Sequence, residues 1–211
     1  SLDEAQREAL STYFRSQVYP ILTPLAVDPG RPFPFISNLS LSLAIIVRER
    51  GVDTTHFARL KVPTNLNRWV SLGADVHEGD ATCFVAVEQL IAHYIDDLFR
   101  GMEVLGVYPF RVTRNADIRR EEEEAEDLLA MISEELRQRR FAPVVRLEVT
   151  KTMPSETRNY LMRRLGLETE DIYAVDGSVD LTGCFQIADL PLPEHRYTPW
   201  QPRVPRRLQS E

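Results

Sequence analysis

From residue 3 to residue 18 apolar side chains recur every three to four positions, Leu10, Tyr13, Phe14 and Val18 forming one stripe while Asp3, Glu4, Arg7 and Glu8 fall elsewhere. This spacing predicts an amphipathic helix whose leading acids suit the positive end of the helix dipole. The periodicity then fails. Five prolines and a glycine stand among the seventeen residues from Tyr19 to Phe35, which excludes a helix or a central strand there. The same stretch is rich in Ile, Leu, Val and Phe, so it is expected to lie pressed against something, inside the domain or at an interface. Residues 41–49 read as a buried strand turning polar at its end, and 56–62 and 68–72 as two shorter strands parted by a turn at Pro63, Thr64 and Asn65. Residues 84–87 read as a fourth strand running straight into a helix over 88–99, with Leu90, Ile91, Tyr94, Ile95, Leu98 and Phe99 on a wide apolar face.

Strand signals return over 104–113. Asp117 then offers an N-cap for the longest predicted helix, reaching about residue 140, with Ala125, Leu128, Leu129, Ile132 and Leu136 in one stripe. Its acids at 121–124 and its basic Arg137, Arg139 and Arg140 sit at the ends that the macrodipole favours. Residues 143–149 alternate apolar with charged, as in a strand half covered by helices. Residues 155–165 predict a helix stopped by Gly166 at C′, 172–175 a short strand, and 181–190 a final short helix. No internal repeat is present. Irregular mixing of strands and helices predicts an α+β fold, a mixed or antiparallel sheet flanked by helices, with an N-terminal helix and an extended Pro-rich segment.

Composition narrows the picture. At 211 residues, 43% hydrophobic and 27% charged, the chain is ordinary globular material, long enough for one substantial core. A net charge of −7 argues against a nucleic-acid partner gripped through phosphates, which calls for a basic surplus or stripe. Two cysteines, Cys83 and Cys184, are too few for a disulfide scaffold and have no metal-type spacing. The apolar runs are too short for a transmembrane segment, and the first residues lack the pattern of a signal peptide. A cytoplasmic protein is expected. The chain begins inside a helix without Met and ends in a Pro- and Arg-rich tail, so it reads as cut from something longer: a domain over 1–196 and an extended linker over 197–211.

Candidate chemistry is sparse. Consecutive acids at 121–127 point around a helix, and a solvated helix front explains them better than a Mg²⁺ site. Arg146 and Glu148 share one strand face near Lys151; they could line a phosphate groove or simply pair with each other or with neighbouring helices. His56, His77, His93 and His195 are scattered, none spaced for a metal or a nucleophile's base. The nine glycines form no phosphate-binding loop. The sequence therefore assigns no catalytic, cofactor or metal residue.

Three long stretches nevertheless resemble the polyphosphate kinase family. They are Phe14-Arg-Ser-Gln-Val-Tyr-Pro-Ile-Leu-Thr-Pro-Leu-Ala-Val-Asp-Pro29 with its continuation from Arg31 to Leu41, Tyr108-Pro-Phe-Arg-Val-Thr-Arg-Asn-Ala-Asp117, and Arg139-Arg-Phe-Ala-Pro-Val-Val-Arg-Leu-Glu-Val149. Ala142 stands where the family is expected to have glycine, a matter of one local turn. The resemblance spans nearly the whole chain and is weakest over 190–211. It implies the middle, or head, domain of an enzyme that moves the terminal phosphoryl group of ATP onto polyphosphate through a phosphohistidine, with Mg²⁺. In that family the reactive histidine and phosphate-gripping arginines belong to C-terminal domains and the adenine contact to an N-terminal one. The head serves dimerisation, so ATP and Mg²⁺ are expected in the parent only. Its partners would be the N- and C-terminal domains of the same enzyme and a second copy, and the parent could associate with a membrane. Phe33, Phe35 and Ile36 are the expected interface residues, although the same side chains could fill the head's own core. The competing expectation is a polyphosphate- or nucleotide-binding module using Arg137, Arg139, Arg140, Arg146 and Lys151.

Overall fold

The computed structural model describes residues 2–27, 33–72, 83–115 and 142–203. The helix predicted over 117–140 lies outside them. The elements, in chain order, are α1 (Glu4–Tyr13), β1 (Pro24–Val27), β2 (Leu41–Glu49), β3 (Thr55–Lys61), β4 (Trp69–Ser71), β5 (Phe84–Ala86), α2 (Val87–His93), β6 (Met102–Arg114), β7 (Val144–Thr150), α3 (Ser155–Leu165), β8 (Ile172–Val175) and α4 (Phe185–Ala188).

Six strands form one sheet in the order β1-β3-β2-β6-β7-β8, and β4 pairs with β5 in a separate ribbon. Neighbours in the large sheet are antiparallel except β7 and β8, which run parallel. A parallel pair needs a crossover, and α3 supplies it. The mixed sheet with helices is the α+β fold that the patterning predicts.

Local chemistry sets the element ends. Asp3 caps α1: its Oδ1 accepts from Gln6 N at 2.8 Å while Gln6 Oε1 accepts from Asp3 N at 3.1 Å, a reciprocal capping box. The helix continues through a π turn over Phe14–Val18 and a 3₁₀ turn over Tyr19–Ile21, where Pro20 costs no hydrogen bond. The Pro-rich segment contributes one strand, β1, and it lies at the sheet edge and begins on Pro24, where a missing N–H is tolerated.

Both faces of the sheet are covered, so nearly all of β2 is buried. Leu41, Leu43, Ile45 and Val47 face Leu10, Phe14 and Val18 of the N-terminal helix and Leu90 and Ile91 of α2. On the other face Ala44, Phe57, Phe110, Val112, Leu147 and Val149 pack with Leu161 of α3 and with Ile36.

Two predicted helices come out shorter. The one expected over 88–99 stops at His93; Tyr94 turns to φ −103°, ψ 19°, and a 3₁₀ turn follows over Ile95–Asp97. Asp96 and Asp97 would sit at the negative end of a longer helix, and Tyr94 leaves the helical path to stack on Phe14 at 4.7 Å. The one expected over 181–190 divides into a 3₁₀ turn, Leu181–Cys184, and the four-residue α4, since Gly183 weakens its start and Pro191 bars its continuation. By contrast α3 ends as read, with Gly166 at φ 69°, ψ 38°. Gly166→Ala forces a Cβ into that left-handed turn. It should cost about 1 kcal/mol, read as a lower urea midpoint at constant slope.

Candidate functional site

The charged residues that the fold brings together form a seam of alternating sign on the sheet face beneath α2. At one end Arg68, just before β4, meets Glu88 in the first turn of α2. Their side chains are 11% and 7% exposed and 2.6 Å apart. Arg68 Nε also donates to Glu88, Nη2 to Ser178 Oγ at 2.8 Å and to the Val179 carbonyl at 2.6 Å, and Nη1 to the Asp180 carbonyl. The Asp180 carboxylate lies 3.8 Å from Arg68 and 3.7 Å from Arg111. Arg111 Nη1 donates to Glu148 Oε2 at 3.1 Å across the β6–β7 ladder, and Arg146 Nη2 donates to Glu148 Oε1 at 3.1 Å. Arg146 Nε is buried without a hydrogen-bond partner, and its guanidinium lies 3.9 Å over the Tyr173 ring.

The seam fastens loops. Asp180 sits at φ 67° and its carboxylate accepts from Thr182 N and Oγ1, opening the 181–184 turn. A Cβ at Gly183 would collide with the Arg68 side chain, so only glycine admits this approach. Gln186 of α4 then completes the outer edge of β4: its Oε1 accepts from Trp69 N at 3.0 Å and its Nε2 donates to Trp69 O at 2.7 Å. An exposed strand edge is thereby occupied. Of these pairs patterning anticipates Arg146 with Glu148, which share a strand face; Arg68 and Glu88 look like solvated charges flanking short apolar runs. The one clue is Glu88 itself, directly after the apolar Val85, Ala86 and Val87 at a helix start.

The expected interface trio divides. Ile36 is fully buried in the core beside α3 and so is not a surface residue; this corrects its assignment to an interface. Backbone fixation explains it, since Arg114 Nε and Nη2 donate to the Ile36 carbonyl at 3.0 and 2.8 Å and Nη1 to the Ala142 carbonyl at 2.6 Å. Burial pushes the Arg114 guanidinium below its ordinary pKa. Phe33 is half-buried against Phe57 and Tyr160, and Phe35 is 38% exposed with Arg114 4.3 Å over its ring.

Of the basic residues of the competing expectation, Arg146 holds Glu148, and Lys151 Nζ pairs with Asp176 at 3.2 Å in solvent. Each is engaged with a carboxylate, Arg146 sharing Glu148 with Arg111. Arg137, Arg139 and Arg140 lie outside the described residues, as do the acidic run and His77. His56 lies on β3, His93 closes α2 and His195 lies in the 193–195 turn, so three separate elements carry them. Cys83 and Cys184 are exposed thiols. Among the described residues no group of three His, Cys, Asp or Glu could hold a metal ion, and no helix is long and apolar enough to cross a membrane. The most exposed of the large apolar side chains lie near the C-terminal end of the described chain: Leu181, Phe185, Tyr197 and Trp200, the last 83% exposed.

The family described as polyphosphate kinase middle domain matches residues 5–187. Relatives named polyphosphate kinase include one from Thermosynechococcus vestitus, 43% identical over 99% of this chain and 29% of its own length. Another, from Mycobacterium marinum, is 49% identical over 91% of this chain and 27% of its own length. A third, from Aphanizomenon baltica, is 44% identical over 99% of this chain and 55% of its own length. The chain thus spans under a third of the first two. The crystal structure of polyphosphate kinase from Porphyromonas gingivalis shares the fold at a TM-score of 0.69 and 22% identity, covering 97% of this chain and 28% of that one. With the motifs, the mixed sheet and the family match in agreement, this chain belongs to the polyphosphate kinase family, as its middle domain.

Proposed function

We propose that this chain is the non-catalytic head of a polyphosphate kinase, a rigid shoulder that dimerises the parent and positions its other domains. Those domains would transfer the terminal phosphoryl group of ATP to polyphosphate, using Mg²⁺, in the cytoplasm. The residues described here do not fit either cofactor, since they hold neither a carboxylate or histidine cluster for a metal nor a glycine-rich phosphate loop. On this reading ATP and Mg²⁺ are used by the rest of the enzyme.

The observation that carries the reading is a contrast in how side chains are used. Charged groups are spent inside, on clamps that hold loops, while Phe185 and Trp200 stand 72% and 83% exposed. Large aromatics left in water beside a rigid scaffold suit a protein interface. Phe35, with Phe33 beside it, supplies a second contact of the same kind. Arg196 makes the last side-chain hydrogen bond among the described residues, donating to the Ala188 and Leu190 carbonyls. Beyond it Tyr197 is wholly exposed, which supports a domain over 1–196 and a linker over 197–211.

The purified chain given Mg²⁺, ATP and polyphosphate should transfer no phosphoryl group. In the parent enzyme, Phe185→Ser with Trp200→Ser should raise the dimer dissociation constant about tenfold or more by sedimentation. The unfolding midpoint of the chain alone should stay put, because both side chains are already in water. Turnover by the chain itself, or a parent variant as tightly dimeric as before, overturns the proposal.

A further inference from the structure

The other face of the sheet holds a cation that has no counter-ion among the described residues. Arg59 of β3 lies opposite Ala44 of β2 and Leu25 of β1 and is 6% exposed. Its Nε and Nη2 both donate to one hydroxyl, Ser42 Oγ, at 3.2 and 3.1 Å, which leaves Nη1 for another acceptor. No carboxylate faces it among the described residues, and burial pushes its pKa down with no opposing charge to raise it. Two positions on, Lys61 points to the same face, opposite Ser42, and it too forms no ion pair among the described residues. Arg59 and Lys61 line one cleft of ≈ 350 Å³ together with Thr23, Thr64 and Asn65, and no acid lines it.

Acids outnumber bases 32 to 25 in this chain, and Arg68, Arg111 and Arg146 each found a carboxylate. Two like charges side by side, one desolvated, with no acid between them, destabilise the fold unless an anion joins them. Two positive charges with flanking hydroxyl and amide donors match a dianion with three free oxygens better than a carboxylate. We propose that the Arg59 cleft is a binding site for a phosphate group, with Arg59 and Lys61 as its charged ligands and Thr23, Thr64 and Asn65 as donors to the remaining oxygens. This site is independent of the dimerising role and would persist in a head that does not dimerise.

Calorimetric titration of the full chain at low ionic strength tests it, with orthophosphate, tripolyphosphate, ADP and acetate as separate probes. At least one phosphate compound should bind saturably and acetate should not; which phosphate binds best tells whether the source is the free ion, a chain or a nucleotide. Lys61→Gln should weaken binding about tenfold. Arg59→Met should abolish it while the melting temperature holds or rises, since an unpaired buried charge has been removed. Should Arg59→Met fail to fold, Lys61→Gln decides alone. Absence of binding by all three phosphates, equal binding of acetate (the mark of a site for a neighbouring domain's carboxylate), or affinity untouched by Lys61→Gln each overturns the assignment.

Discussion

Arg68→Met should lower the stability of the chain by about 3–5 kcal/mol, because it strands the Glu88 carboxylate in the interior. Glu88 is 7% exposed, and its close partners are the Nε and Nη2 of Arg68. Removing the cation leaves a desolvated charge and also strips donors from the Val179 and Asp180 carbonyls and from Ser178. A second substitution, Glu88→Leu on the Arg68→Met background, removes the stranded charge and should restore about 2 kcal/mol. The carbonyls at 179 and 180 still lack their Arg68 donors, so recovery is incomplete. Urea unfolding of the two singles and the double gives the coupling directly. A double variant no more stable than Arg68→Met would mean that the carboxylate is hydrated and the pair is not what holds this corner. Hydrogen exchange adds a spatial check, since amides of 178–184 should lose protection before those of β2.

What the sequence made legible follows from where the information resides. Strands β2 and β8 and helix α3 came out at the predicted bounds, and Gly166 closed α3 as read, because each rests on local signals: continuous apolar runs, a 3.6-residue stripe, a glycine free to turn left-handed. The prolines ruled out a central strand for an equally local reason, and β1 lies at the sheet edge. The failures are non-local. Tyr94 was read into a helix whose period it fits, but its ring is claimed by Phe14, eighty positions earlier in the chain. Ile36 looked like part of a proline-stiffened surface; only Arg114 reaching across from β6 reveals that its carbonyl is anchored and its side chain inward. Of the seam only the pairing of Arg146 with Glu148 is legible in the sequence, since pairs such as Arg68 with Glu88 and Arg111 with Glu148 carry no signature until the strands are in register. Arg59 was equally silent, a single charge inside the strand Phe57-Ala-Arg-Leu60.

The distribution of arginines also bears on the reading of the chain as a phosphate-gripping module built from residues 137–151. Arginine suits phosphate because its planar fork makes two parallel hydrogen bonds. In the seam Arg68 and Arg111 are engaged by carboxylates and carbonyls and Arg146 by Glu148, and a ligand would have to compete with partners that are covalently part of the fold. Arg59 differs in having, among the described residues, only a shared neutral hydroxyl as side-chain partner, which is why the two Arg sites on opposite faces invite opposite conclusions from the same residue type.

Phe14→Ala should be the other severe lesion, costing about 3–5 kcal/mol. Phe14 is fully buried where α1 passes into its π turn, stacked on Tyr94 at 4.7 Å and edge-on to Tyr19 at 5.9 Å. Truncation leaves a cavity where the N-terminal helix, the turn after α2 and the aromatic end of the 3₁₀ turn meet, and it removes aromatic pairs worth about 0.5–1.5 kcal/mol each beyond their burial. Leu161→Ala, on the opposite face, should cost about 2–5 kcal/mol in its own core. The informative comparison is the shape of the transitions. The two cores share β2 and β3, whose residues contribute to both faces, so neither face can open without exposing the back of the other. Both variants should therefore shift the urea midpoint while leaving a single transition with an unchanged slope. If Phe14→Ala instead produced two steps, α1 and α2 would form a separately melting layer. The sheet with α3 would then be the cooperative unit, and the shoulder would be rigid on one face only.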